Sequence, residues 1–209
     1  MISTSHGTNR AAFNAGDWTL FLSLSAIWGA SFLFMAMGLD AFHPGLVTLM
    51  RVGFGALTIA LIPRARKTKI AKEDLGKIVF LGFLWIALPL TLFPIAQQWI
   101  DSAVAGMLNG ATPIFTALLA AILLRQAPRY VQIVGLLLGF AGMIAIAVPS
   151  AGDSATATIG VVLVLIATVC YAVALNMVAP LQHRYGSLAV ISRVLWVGAL
   201  MVVPYGVYG

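Results

Sequence analysis

Two arginines lie inside long apolar stretches of this sequence, where a permanent cation is costly. Arg51 lies within an apolar run from about Leu46 to Ile62, and Arg193 lies within the last apolar run of the chain. An arginine at the centre of a membrane helix costs about 2.5 to 3.5 kcal/mol on insertion scales, and its long side chain can bend towards the headgroups. Two roles stay open for each arginine. One is structural, binding phosphates or the carbonyl end of a neighbouring helix, and the other is the attraction of an anionic substrate.

Several polar and aromatic side chains fall near the middle of similar apolar stretches. Pro113 has no N–H group, which frees the carbonyl of Asn109, and Asn109 and Thr112 share one helical face. Pro89 likewise frees the carbonyl of Trp85. Because broken backbone persists at membrane depth only beside protein or water, these positions are candidates for a substrate pathway. Ordinary packing or interhelical hydrogen bonding is the alternative for each residue in the predicted substrate-binding set, which is Trp28, Ser31, Trp85, Asn109, Thr112, Tyr171 and Asn176.

Small residues recur at helical spacing in two of the apolar stretches. Such spacing lets the backbones of neighbouring helices approach closely, so we predict a packing role, with rocking between bundles as the alternative. The predicted packing residues are Gly106, Gly110, Pro113, Gly135, Gly139 and Gly142.

The sequence offers little for catalysis or metal binding. Its three histidines fall outside the apolar stretches, which leaves no general base at depth for a serine nucleophile. Cys170 is the only cysteine, so one chain can form neither a disulfide nor a cysteine-based metal site. No Asp or Glu lies inside a predicted span, so the usual proton-relay carboxylate is missing there. We therefore expect no enzyme, no cofactor and no metal site.

The composition identifies the elements that position these residues. Of 209 residues, 61% are hydrophobic and 9% are charged, which is typical of a membrane protein. Crossing a hydrocarbon core takes about 20 apolar residues of helix, and such segments recur along the chain. Seven spans are predicted, at residues 18–38, 44–62, 76–95, 102–124, 130–148, 158–178 and 188–207. The fold class is therefore an all-α polytopic membrane protein.

The basic residues predict the orientation of these spans. Ten of the twelve Lys and Arg residues lie outside the spans, and with seven helices all ten fall on one side. The loops on the other side hold Asp40, Asp101 and Asp153 and no basic residue. By the positive-inside rule, the N-terminus and the basic loop at residues 63–77 are cytoplasmic. The net charge of +6 is thus a topology signal beside anionic headgroups, and no nucleic-acid partner is expected.

The sequence also contains a weak internal repeat. An offset of 142 residues aligns the segment 46–52 with 188–194 and matches Arg51 with Arg193. The same offset aligns the centre of the first predicted span with that of the sixth, at Trp28 and Cys170. Since an odd number of spans separates the equivalent helices, the second copy must run in the opposite sense across the membrane. Inverted repeats of this kind are typical of transporters.

Four motifs carry a resemblance to a known family. They are Trp28-Gly29 in the first span, Arg51 in the second, Pro113 in the fourth and the glycines of the fifth. With the segments 26–57 and 102–147, these motifs resemble the first half of an EamA-type carrier of the drug/metabolite transporter superfamily. The resemblance implies ten helices in two inverted five-helix repeats with cytoplasmic termini. It assigns residues 1–17 to a cytoplasmic tail, 18–148 to the first repeat and 158–209 to the first two helices of a second, so we expect truncation after the seventh helix.

The function that this resemblance implies is transport of small metabolites, such as amino acids, related amphipathic metabolites or drugs. We expect an exporter that works by alternating access in the inner (plasma) membrane, with a small-molecule substrate and the lipid bilayer as partners. A homodimer is left open. The alternative is a non-transporting membrane scaffold or a non-functional fragment.

Overall fold

The computed structural model of the protein describes residues 14–124, 130–151 and 155–208. These residues form α-helices with one π-helical segment, and they contain no β-strand, which confirms the all-helical prediction. In chain order the elements are α1 (Ala15–Leu39), α2 (Pro44–Ala60), α3 (Pro63–Lys67), α4 (Lys72–Leu81), the π segment (Gly82–Ala87), α5 (Leu88–Ala96), α6 (Ser102–Asn109), α7 (Thr112–Leu124), α8 (Tyr130–Ala151), α9 (Ala155–Tyr185) and α10 (Ser187–Tyr208).

Six helical stretches in the described part of the chain are long and apolar enough to cross a membrane. Two of them join several elements, because α4, the π segment and α5 run on as Lys72–Ala96, and α6 and α7 together form Ser102–Ile122. The second predicted span, α2, is a shorter apolar helix of 17 residues. Seventeen residues is near the lower limit for crossing, so the predicted count of seven stays a prediction.

Several spans begin before their predicted boundaries, and the sequence at the starts of the first and third spans shows why. Asn14 and Asp17 form a reciprocal capping box, so α1 begins at Ala15 rather than at residue 18. The third span begins at Lys72 rather than at residue 76, with Glu73 and Asp74 in its first turn. Acidic side chains in a first turn are favoured by the helix dipole. The expectation that this span lacks carboxylates was therefore wrong at its first turn.

The π segment explains how the third span passes Pro89. A proline ring clashes with the carbonyl four residues earlier in an α-helix and cannot donate a hydrogen bond to it. The turn before Pro89 is widened, so that the N–H of Leu88 donates to the carbonyl of Phe83, five residues earlier. A Cβ atom added to Gly198 of α10 would lie 2.5 Å from the Cβ of Ile86, so α10 and the π segment cross in very close contact.

Helices α2 and α10 pack against each other along their length in opposite directions. At one end, a Cβ on Gly45 would meet the carbonyl of Tyr205, and at the other Gly55 faces Leu195. The long helix α9 joins two apolar cores. The first is built with α1, α5 and α6, and the second with α2, α4 and α10. The mid-bundle residues of α1, α2 and α9 are thereby brought together.

One end of the bundle carries a network of charges, here named the helix-end cluster: Glu73, Asp74, Lys77, Arg184 and Tyr185. Asp74 is only 2% exposed. Its carboxylate accepts hydrogen bonds from Lys77 Nζ at 2.7 Å, Arg184 Nη1 at 2.8 Å and the Tyr185 hydroxyl at 2.7 Å. Arg184 also pairs with exposed Glu73 at 2.8 Å. The cluster ties the start of α4 to the end of α9.

Some predictions fall on residues outside the described ranges. Residues 1–13 of the predicted cytoplasmic tail lie there, as do Arg125 and Arg129 of the expected positive loop and Asp153 of the opposite side.

Candidate functional site

A cavity of about 650 Å³ lies in the middle of the bundle between α1, the π segment, α6, α7 and α9. This volume is in the range of small-molecule sites. It contains five of the seven predicted substrate-binding residues, which are Trp28, Trp85, Asn109, Thr112 and Tyr171. The other lining residues are Phe21, Leu24, Ser25, Gly29, Phe32, Gly106, Gly110, Pro113 and Leu175.

The polar wall of this cavity is the break between α6 and α7. Because Pro113 cannot donate to the carbonyl of Asn109, that carbonyl instead accepts a hydrogen bond from the Thr112 hydroxyl at 2.7 Å. The side-chain oxygen of Asn109 lies 3.4 Å from the same hydroxyl. The wall therefore presents neutral dipoles, with Asn109 itself buried.

The opposite wall is α1, and the first half of that helix packs only loosely on the rest of the chain. Every residue from 14 to 29 is exposed, and Trp28 is 46% exposed. Phe32 and Met35 anchor the second half of α1 in the first core. Helix α1 is thus anchored in the first core by its second half, while its first half is exposed.

A smaller pocket of about 250 Å³ adjoins this cavity. Three aromatic side chains, Trp28, Trp85 and Tyr171, line both spaces. The remaining residues of the small pocket are Arg51, Val52, Ile86, Leu90, Ile191 and Leu195. Arg51 is the one charged side chain among these lining residues.

The guanidinium of Arg51 points across to α1. Its Nη2 donates a hydrogen bond to the Ser31 hydroxyl at 2.9 Å, and its Nη1 lies 3.9 Å from the sulfur of Met35. Ser31 in turn donates to the carbonyl of Trp28 at 2.6 Å. Within the described residues no carboxylate oxygen lies within 4.0 Å of Arg51, since every ion pair found there belongs to the helix-end cluster. Among the described residues, the partners of the cation are therefore a hydroxyl and a thioether, with no counter-charge within 4.0 Å.

Arg193 has a different environment. Its guanidinium donates to the carbonyl of Ala65 and, at 2.6 Å, to that of Thr68, where the short helix α3 ends. It also donates to the carbonyl of Ala189 at 3.1 Å. A cation at carbonyls that end a helix is favoured by the helix dipole. These contacts are those that the structural alternative predicts for an arginine in this span.

Two predicted site residues lie outside the set that lines the cavities. Ser31 lines neither space but accepts a hydrogen bond from Arg51, which lines the small pocket. Asn176 donates to the carbonyl of Thr116 at 3.1 Å and to that of Ala172 at 2.8 Å, which links α9 to α7. A substrate contact by either residue stays a prediction.

The predicted packing glycines also differ among themselves. A Cβ on Gly139 would lie 2.7 Å from the side chain of Ile114, and one on Gly106 would lie 3.4 Å from the ring of Phe32. For Gly135 and Gly142 the described part of the chain places no atom within 4 Å of that position. Gly110 and Pro113 line the cavity at the helix break.

Sequence reasoning missed two features of the site. Phe21, Leu24 and Ser25 extend the cavity wall along α1, and their helical spacing from Trp28 is a signal that could have found them. The second feature is Thr48, a fully buried residue of α2. Its hydroxyl lies 3.2 Å from the carbonyl of Leu90, which Pro94 leaves without its helical partner. Nothing in the sequence pairs Thr48 with Leu90.

No group of three or more histidine, cysteine or acidic side chains suited to a metal ion occurs in the described ranges. The site is thus an aromatic cavity with neutral polar groups and one cation.

Comparison with known proteins bears on this site. The uncharacterized transporter of Archaeoglobus fulgidus is 24% identical over 90% of this chain and 66% of its own length. The uncharacterized transporter YdfC of Bacillus subtilis is 23% identical over 86% of this chain and 58% of its own. The probable terminal-alkyne amino-acid exporter of Streptantibioticus cattleyicolor is 28% identical over 90% and 62%.

This chain therefore spans about three fifths to two thirds of the length of these relatives. No solved structure matches it. The model of the EamA-like transporter family matches residues 16–148, which contain most of the cavity lining. The chain belongs to the EamA-like transporter family.

Proposed function

We propose that this chain carries small amphipathic molecules through the cavity between α1, α6, α7 and α9, as part or all of a membrane carrier. The observation that carries the proposal is the cavity of about 650 Å³ at mid-bundle, which combines aromatic walls with the neutral dipoles of Asn109 and Thr112. Membership of a transporter family, and relatives named as transporters, support it. The substrate class is small metabolites such as amino acids and related compounds.

We further propose alternating access, with export as the direction. The exposure of the first half of α1 supports this mechanism, and the breaks at Pro89 and Pro113 supply points of bending. The name of the Streptantibioticus relative supports export. The inverted arrangement of the two repeats is part of the same proposal, and the antiparallel packing of α2 and α10 supports it.

A plugged cavity tests transport most directly. A Cβ on Gly29 would meet no atom within 4 Å, and Gly29 lines the cavity, so Gly29→Phe fills that space without a backbone clash. The matched control is Gly135→Phe, where the space at Cβ is equally open and the residue lies on α8 outside the cavity.

The flux assay uses liposomes that contain the full chain and are loaded with amino acids, aromatic and aliphatic monocarboxylates and their amides. Mass spectrometry measures efflux, and protease protection measures the fraction of protein that is inserted in each orientation. We expect efflux of some of these compounds with the wild type and Gly135→Phe and its loss with Gly29→Phe. No difference between protein-containing and empty liposomes would contradict transport and favour the scaffold alternative.

We propose that the protein lies in the plasma membrane with its N-terminus and the loop 63–77 in the cytoplasm. Six of the twelve Lys and Arg residues lie in that loop, which supports this orientation. Asp40→Cys places an exposed thiol before α2, and Lys69→Cys places one in the loop 63–77 after it. The native Cys170 is buried and should react little. A membrane-impermeant maleimide added to intact cells should label Asp40→Cys and spare Lys69→Cys. Labelling of both from outside would refute the topology.

A further inference from the structure

The two cavities together carry one formal charge, and it is positive. Among the residues that line them, Arg51 alone is ionised, and Ser25, Asn109, Thr112 and Tyr171 are neutral polar groups. No aspartate or glutamate lines either space in the described part of the chain. A ligand that neutralises this site needs one negative charge, and nothing in the lining would neutralise an ammonium group.

The geometry around Arg51 leaves room for such a ligand. Its guanidinium donates to Ser31 and contacts Met35, both on α1, and Arg51 also lines the small pocket of about 250 Å³. Guanidinium presents five N–H donors in a planar fork that matches a carboxylate in two parallel hydrogen bonds. The described contacts of Arg51, a hydroxyl and a thioether, occupy only part of these five donors, and neither contact is ionic.

The arrangement also predicts the shape of the ligand. Trp28, Trp85 and Tyr171 line both the small pocket and the larger cavity, so a molecule with its anionic end at Arg51 reaches the larger space past aromatic side chains. The larger space is mostly apolar in its lining, with Phe21, Leu24 and Phe32 opposite the neutral dipoles. An apolar or aromatic body would bury its surface there.

From this geometry we infer that Arg51 is the residue that selects the substrate, and that it selects a monocarboxylate with an apolar or aromatic body over the zwitterion, amide or amine of the same body. The inference rests on the proposed transport function and specifies its substrate class. Ser31 accepts a hydrogen bond from this guanidinium and donates one to the carbonyl of Trp28, which holds the Arg51 side chain against α1.

Four compounds with one body test this selection: 3-phenylpropionate, phenylalanine, 3-phenylpropionamide and 3-phenylpropylamine. The full chain is placed in phosphatidylcholine nanodiscs, and binding is followed by the fluorescence of its tryptophans, two of which line the site. We expect 3-phenylpropionate to bind tighter than the amide by at least about tenfold, as charge-assisted hydrogen bonds imply. Phenylalanine should fall between them, and the amine should bind most weakly.

The variants separate recognition from folding. Arg51→Gln should reduce the carboxylate-to-amide preference to within about twofold while binding of the amide persists, and Arg51→Lys should retain part of the preference because it retains the charge without the fork. Arg193→Lys is the matched control, since that arginine contacts carbonyls away from the cavity, and it should leave the preference unchanged. Helical circular dichroism and size-exclusion profiles verify folding of each variant.

Several outcomes would overturn the inference. They are equal binding of carboxylate and amide by the wild type, absence of carboxylate binding, and a full preference in folded Arg51→Gln. A lipid headgroup is the other source of an anion, so the titration is repeated with phosphatidylglycerol in the nanodiscs. The site would be assigned to lipid if this lipid competed as strongly as the carboxylate itself in the wild type and did not compete in Arg51→Gln. That result would overturn the substrate inference.

Failure of this inference and failure of transport give different results. If Gly29-dependent efflux of the amide equals that of the carboxylate, the charge selection is wrong and transport stands. If the carboxylate preference in binding depends on Arg51 but no compound leaves the liposomes, the selection stands and transport is wrong.

Discussion

Arg51 and Arg193 occupy corresponding positions in the two proposed repeats, yet their surroundings differ in kind. Arg193 is held by backbone carbonyls at residues 65, 66, 68 and 189, mostly where α3 ends. Arg51 contacts a hydroxyl and a sulfur of α1 and borders a pocket. From this difference we propose that Arg193, which backbone carbonyls surround, is a structural group, and that Arg51, which has few described partners, is a binding group.

The helix-end cluster extends this comparison. There, buried Asp74 has three donors from two helices, so its charge is satisfied within the protein. In the mid-bundle site the cation has no charged partner among the described residues. We therefore expect substitutions at the bundle end to change stability, and substitutions at mid-bundle to change binding.

The largest loss of stability is expected for Asp74→Ala. Removing this carboxylate leaves Lys77, Arg184 and Tyr185 without the group that joins them, and breaking a buried ion pair is costlier than any surface pair. The apparent melting temperature in detergent should fall further than for every other variant described below. Glu73→Ala is the control, because exposed Glu73 pairs with the same arginine and such pairs contribute little. Equal losses for the two variants would contradict the assignment.

A smaller loss is expected for Arg193→Gln. The substitution removes charged hydrogen bonds to the carbonyls of Ala65 and Thr68, and the free energy of unfolding should fall by about 2 to 3 kcal/mol. Circular dichroism during titration with sodium dodecyl sulfate in micelles measures it. The exposed Arg64→Gln provides the control and should change little. If Arg193→Gln were as stable as the wild type, Arg193 would not be a structural group.

Glycine substitutions in α10 and α2 should have smaller effects on stability than the substitutions above. A Cβ on Gly198 would overlap the side chain of Ile86 and approach the carbonyl of Gly82 at 3.1 Å, so Gly198→Ala should cost about 1 to 3 kcal/mol through overpacking. At Gly53 the described chain leaves the Cβ position open, so Gly53→Ala should be neutral or stabilising because alanine favours the helix. Thermal unfolding of both variants measures the contrast. Stabilisation by both would show that the crossing at the π segment relaxes freely.

The smallest effect on stability is expected for Arg51→Gln. The variant loses the hydrogen bond to Ser31 but no longer places a cation at mid-bundle, so its free energy of unfolding should stay within about 1 kcal/mol of wild type. The same detergent titration used for Arg193→Gln measures it. A loss as large as that of Arg193→Gln would make both arginines structural and end the distinction between them.

Much of the fold could be predicted from apolar length and from proline. The long apolar helices lie near the predicted spans, and the backbone breaks at Pro89 and Pro113 lie where missing N–H groups place them. Boundaries were less predictable, because the capping box at Asn14 and the acidic first turn at Lys72 extend helices into polar sequence. The first extension depends on capping hydrogen bonds and the second is favoured by acidic residues in a first turn, and hydropathy is insensitive to both.

Sequence reasoning named five of the residues that line the candidate cavity, but not the contacts between distant residues. Trp28, Trp85, Asn109, Thr112 and Tyr171 were found because polar or aromatic groups in apolar helices are costly and therefore informative. The bond from Thr48 to Leu90 and the ion pair between Asp74 and Arg184 join residues far apart in the chain, so no local pattern marks them.

The sequence by itself determined that the chain forms apolar helices, where prolines remove backbone donors from them, and which side chains introduce charge or dipoles within them. These properties follow from the energies of single residues and their near neighbours. Only the tertiary structure decided that Arg193 meets the carbonyls of α3 while Arg51 meets a hydroxyl and a sulfur of α1, because the partners of a side chain depend on how helices distant in sequence pack together.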